Sequence, residues 1–121
     1  MLLSILLRIG GEKMQDLMKE YNENLILQTD NVLFLKTEKY KTNTWEVCLK
    51  SVNLEHYKYR IMFLHKITIQ DFPICVDFDE VIAEELSLNN KVYVHSKKDF
   101  DELIINIFSS NKIDRVVKAL L

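Results

Sequence analysis

The sequence predicts an α+β domain: an antiparallel sheet of four or five strands, with an N-terminal helix and C-terminal helices packed on one of its faces. Three observations lead there. Between Tyr57 and Ile69 large, mostly apolar side chains alternate with polar ones at a period of two, the mark of a strand with one face on a core. Before and after this stretch, apolar residues recur at the i, i+3, i+4, i+7 spacing of amphipathic helices. The connections between the predicted strands are short, which favours antiparallel neighbours.

The chain has 121 residues, 48% of them hydrophobic, which suits one domain with one core and is too short for two ordinary domains. Two glycines and one proline leave little material for phosphate-binding loops or long linkers. Residues 1–13 stand apart. Their apolar run is less than half the length of a bilayer span, and its one early charge, Arg8, follows the run where a signal peptide needs it to precede. Arg8 to Met14 back-translates with A-rich codons to a run containing AGGAGG just upstream of an ATG, a bacterial ribosome-binding site. The expectation is therefore that translation starts at Met14, that residues 1–13 are untranslated leader or a disordered extension, and that residues 14–121 form a single α+β domain.

From Met14 the apolar positions Met14, Leu17, Met18 and Tyr21 form one helical stripe. Leu25 to Gln28 reads as a brief strand, Thr29 to Asn31 as a polar turn, and Val32 to Thr37 as a strand. After a hydrophilic connection, Thr44 to Val52 sets Trp45, Val47 and Leu49 against Glu46, Cys48 and Lys50. A turn at Asn53 to His56 leads into the central strand, whose core face is expected to be Tyr57, Tyr59, Ile61, Phe63, His65, Ile67 and Ile69. Met62 and Leu64 break its polar face, so the centre of the second face is expected to be covered too. These three strands should form a meander.

Pro73, tolerated at a first strand position, opens a strand carrying Ile74, Val76 and Phe78. Asp77 or Asp79 caps a helix running to about Leu86 with the stripe Val81, Ile82 and Leu86. Lys91 to His95 is a short strand, and Ser96 with Asp99 has capping-box spacing before the helix of Phe100, Leu103, Ile104, Ile107 and Phe108. Asn111 with Asp114 starts the last helix, whose stripe of Ile113, Val116, Val117, Leu120 and Leu121 is too short to stand alone. It is expected to dock on the preceding stripe as a helical hairpin that also covers the sheet. Ile113, Val117, Leu120 and Leu121 are also the residues that would form an interface if the stripe were left uncovered.

Function is read from charge and spacing. A net charge of −2 and a pI near 5.9 argue against a dedicated nucleic-acid binder. Yet Lys36 to Lys66 holds seven cations against three anions, with aromatic side chains among them. Lys36, Lys39, Tyr40, Lys41 and Arg60 are thus the candidates for RNA or single-stranded DNA, against the plainer reading of lysines guarding strand edges. Asp77, Asp79 and Glu80 are the candidates for a metal-dependent hydrolase, against the plainer reading of acids favoured at a helix N-terminus. Cys48 and Cys75 lack metal-site or redox spacing and read as buried free thiols, and the three histidines are scattered. No cofactor is implied. The preferred reading is a small cytoplasmic bacterial protein, of the kind a phage or mobile element carries, that binds another protein as an inhibitor, immunity protein or accessory subunit. A homodimer stays open, and no membrane partner is expected.

Overall fold

The structure, a computed structural model, describes the backbone of residues 2–121 and the side chains of residues 14–121. The expectation for the first thirteen residues lies outside the described side chains. The elements run α1 (Leu2–Gln28), β1 (Leu33–Lys41), β2 (Thr44–Ser51), β3 (Leu54–Lys66), β4 (Ile74–Phe78), α2 (Glu80–Leu86), β5 (Lys91–Val94), α3 (Lys97–Phe108) and α4 (Asn111–Leu120). The five strands form one sheet in the order β1-β2-β3-β4-β5, every neighbouring pair antiparallel. The predicted meander is its first three strands. Among the described residues no helix is long and apolar enough to cross a membrane.

The core lies on one face of this sheet. Cross-strand partners share a face, so the rows Val47–Met62–Phe78 and Trp45–Leu64–Val76–Val92 point the same way. Met14 and Met18 of α1, Ile82 of α2, Phe100, Ile104 and Ile107 of α3 and Ile113 of α4 join them in one buried cluster.

Helix α1 does more than pack on this cluster, because β1 is an outer strand with backbone groups that no other strand can pair. Thr29 Oγ1 accepts from the Leu33 N–H at 3.0 Å, Asn22 Oδ1 accepts from the Leu35 N–H at 2.7 Å, and Gln15 Nε2 donates to the Thr37 carbonyl at 3.4 Å. Polar side chains of α1 and of Thr29 just after it thus close the outer edge of β1. The helix also corrects the expected strand at Leu25 to Gln28, since Leu25 extends the stripe from Tyr21 by one more turn and packs against the core. Thr29 ends the helix, its hydroxyl donating to the Leu25 carbonyl at 2.8 Å, and Asp30 and Asn31 turn the chain with φ of 52° and 65°. Asparagine and aspartate tolerate that left-handed region better than most residues.

The central strand is where the expected facing fails. Val47 pairs with Met62 but its neighbour Cys48 pairs with Arg60, so Ile61 is an extra residue, a β-bulge. The bulge reverses the alternation. Tyr59 lies on the core side opposite Leu49 as expected, but beyond the bulge Met62 and Leu64 take the core side, and Phe63 and His65 pass to the other face. The strand ends at Lys66, leaving Ile67 exposed and Ile69 96% exposed in the following loop.

Helix starts follow the predicted chemistry with two shifts. Asp79 caps α2 by accepting from the Val81 N–H at 2.7 Å, but the buried residues of α2 are Ile82 and Ala83, and Val81 is exposed. Ser96 caps α3 through the Asp99 N–H at 3.1 Å. The cap of α4 is Ser110, one residue before the expected Asn111, and the freed Asn111 N–H donates to both oxygens of Glu85 on α2, at 2.8 and 3.0 Å. A carboxylate at a helix N-terminus is favourable in itself. The last helix docks in part: α4 packs against α2 and α3 with Ile113 buried and Val116, Val117 and Leu120 half-buried, while Leu121 is 66% exposed.

Two stability measurements test this account. Leu64→Ala should cost about 2–5 kcal/mol, as a fully buried leucine does, and Phe63→Ala distinctly less, read from urea midpoints; the opposite order would remove the bulge from the account. Asn22→Ala should cost about 1–3 kcal/mol by leaving the Leu35 N–H without its acceptor, and an unchanged midpoint would show that α1 does not close the edge.

Candidate functional site: the open face of the sheet

The second sheet face is assembled by the same register rows. Lys36, Cys48 and Arg60 form one, Glu38, Glu46, Phe63, Asp77 and Lys91 the next, and Thr44, His65, Cys75 and Tyr93 a third, with Lys41 opposite Thr44 and Lys50 opposite Phe34. The buried apolar side chains of the described helices join the cluster on the other side, so among the described residues this face stays open.

Glu46 organises it. Although it stands in the middle of β2 and is only 4% exposed, both its oxygens are engaged: Oε1 accepts from Lys58 Nζ at 3.1 Å and Oε2 from Arg60 Nε at 2.9 Å. Burial pushes its carboxyl pKa up, but the hydrogen bonds from Lys58 and Arg60 outweigh that and hold it below the usual value. Beside it the Cys48 thiol is pushed up to about 11 by burial and by the Glu46 charge, and the Cys75 thiol is raised by burial and by Asp77. Neither is an activated nucleophile.

Arg60 lies over Phe63, its guanidinium carbon 4.5 Å from the ring centroid, and Tyr40 tilts against the same ring at 4.9 Å between centroids. Tyr40 and, on β5, Tyr93 are 56% and 58% exposed. A polar line crosses the strands alongside: Thr44 Oγ1 is 3.1 Å from His65 Nδ1, and His65 Nε2 is 3.6 Å from Asp77 Oδ2. This hydroxyl, imidazole and carboxylate succession resembles a nucleophile with its base, but Thr44 is buried and its hydroxyl donates to the Thr42 carbonyl at 3.3 Å. The line holds His65 in place across three strands.

The residues singled out from the sequence separate into groups. Lys36, Tyr40, Lys41 and Arg60 do come together on the open face, whereas Lys39 shares the face of Trp45. Lys36 is paired with Glu38 at 3.6 Å. The three acidic candidates diverge. Asp77 is on the open face, where its Oδ1 accepts from Asn90 Nδ2 at 3.3 Å; Asp79 accepts from the Tyr59 hydroxyl at 2.5 Å as well as from its own helix; Glu80 is exposed in the first turn of α2. Among the described residues no three His, Cys, Asp or Glu side chains gather as a metal-ligand group. Of the interface candidates, Ile113 is buried, Leu120 half-buried, and Val117 and Leu121 line a cleft of about 480 Å³ between α1 and α4, together with Tyr21, Leu25 and Phe108.

Glu46, Phe63, His65 and Tyr93 were not candidates from sequence. A glutamate amid Trp45, Val47 and Leu49 was the signal for the first, and the adjacent apolar pair Ile61 and Met62, which breaks the alternation, was the signal for the next two. Comparison with known proteins returned no match: no family model, no curated protein and no solved structure matches this chain.

The buried carboxylate gives a pH signature. Because the folded Glu46 pKa lies below the unfolded one, the unfolded chain binds more protons in the acid range, and the stabilisation is complete above the unfolded value of about 4.3 and lost as pH falls through the folded value. Glu46→Gln should therefore cost about 1–3 kcal/mol near neutrality, and the gap from the wild type should narrow below about pH 4.3. Urea titrations from pH 7 to 3 check it, and a gap that does not change with pH would show that Glu46 is not the charged anchor.

Proposed function

We propose that this chain works by binding another protein on the open face of its sheet, without chemistry of its own. The observation that carries the reading is the cluster of Tyr40, Arg60 and Phe63, held on the buried Glu46, on a sheet face that the described helices leave free. Aromatic residues and arginine in a locked setting are what protein interfaces concentrate at their centres. Around the cluster the face carries six cations, Lys36, Lys41, Lys50, Lys58, Arg60 and Lys91, against three anions, Glu38, Glu46 and Asp77, in a chain whose net charge is −2. That contrast suits an acidic partner surface. A small bacterial inhibitor, immunity protein or accessory subunit in the cytoplasm is the role it fits.

The positive excess and the exposed rings of Tyr40 and Tyr93 favour single-stranded nucleic acid as the second reading. It is the weaker one, because Lys36, Lys58 and Arg60 are already paired with glutamates and Arg60 occupies the Phe63 ring on which a base would stack.

Affinity capture from the source cells tests the proposal, with Lys50→Glu/Lys91→Glu and Tyr93→Ala as variants whose folding is checked by circular dichroism. One dominant protein recovered by the wild type and reduced at least tenfold in both variants is the expected outcome. Capture that survives both but is lost in Leu121→Asp would move the interface to the α1–α4 cleft, and salt-dependent binding of an oligouridylate would favour the second reading.

A further inference from the structure

Arg60 is fixed at two points and free at a third. Its Nε donates to Glu46 Oε2 at 2.9 Å, and its guanidinium carbon lies 4.5 Å from the Phe63 ring centroid, so the side chain is held although it is half-exposed. Arginine has five N–H donors, and among the described residues the Nε donor is the one engaged here. Among the described residues the two Nη groups, with four N–H between them, have no partner. A guanidinium in this state is a planar fork whose rotamer entropy is already lost, and planar forks match carboxylates bidentately. Lys58, held on the other oxygen of Glu46, adds a second cation beside it.

We infer that the Nη fork of Arg60 is a preformed clamp for a carboxylate, an aspartate or glutamate side chain presented by an acidic segment of the partner protein. The inference rests on the proposed docking at the open face and names what that partner must bring. Tyr40 and Phe63 offer apolar surface next to the fork. Arg60→Lys keeps the charge and removes the fork, so it separates geometry from charge.

The test uses the arginine Nε–Hε and backbone amide NMR signals of the full chain, titrated at low salt with blocked hexaglutamate, blocked hexaglutamine and hexauridylate. Hexaglutamate should move the Arg60 and Phe63 signals saturably, hexaglutamine should not, and Arg60→Lys should weaken hexaglutamate at least tenfold, while Lys98→Gln, exposed on α3 and off this face, changes it less than twofold. Equal binding by Arg60→Lys would overturn the clamp in favour of net charge. Stronger displacement of Arg60 by hexauridylate would overturn it in favour of phosphate. Movement of the Arg60 signal on concentrating the protein alone would overturn it in favour of a second copy. If hexaglutamate leaves Arg60 unmoved while the face variants still abolish capture, the clamp falls and docking stands; if capture ignores the face variants, docking itself falls.

Discussion

Ile61 is a surplus residue in the β2–β3 ladder, and the facing of the second half of β3 depends on it. Without it the alternation set by Tyr59 would carry Phe63 and His65 to the core side. With it, β3 contributes Tyr59 to the core from its first half and Met62 and Leu64 from its second, and it delivers Phe63 to the open row of Glu46 and Asp77 and His65 to the next row, with Thr44 and Cys75. The Ile61 carbonyl accepts from the Asp79 N–H at 3.2 Å, so the bulge also ties β3 to the cap of α2. In the second half of β3, core packing and surface chemistry thus depend on the same local irregularity.

The open face shows how a buried charge becomes tolerable. A carboxylate shut away from water is costly unless paired, and removing one partner of such a set leaves the remainder worse off. Glu46 has two cationic partners, one per oxygen, drawn from the same neighbouring strand. Their own side chains stay half-exposed, so the desolvation falls on a single group. The arrangement orders Lys58 and Arg60 more tightly than surface cations usually are, and Phe63 completes it from below.

The architecture was legible because it rests on periodicities that survive averaging over a segment: the stripes of α1, α3 and α4 and the alternation of β2. The open face was only half legible. Lys36, Tyr40, Lys41 and Arg60 could be gathered from composition, since they crowd one stretch of chain. Phe63 and His65 could not, because a period-two reading has no place for an inserted residue and assigns everything beyond it to the wrong side. The cap of α4 was misplaced for a related reason: Glu85, which takes the Asn111 N–H, lies twenty-six residues away, and no local window contains it. The end of α1 was misread because a four-residue apolar segment fits one helical turn as well as a short strand.

The closure of β1 by Thr29, Asn22 and Gln15 has a consequence for how this molecule fails. An unpaired strand edge is a template on which another chain can grow, and here it is shielded by two side chains of a helix and the threonine that follows it, not by a further strand. Loosening α1 would therefore unmask the template before the sheet itself is disturbed. The first step of unfolding and the first step of fibre growth would then be the same event, and solubility under stress would follow the hold of one helix more closely than the global stability of the domain.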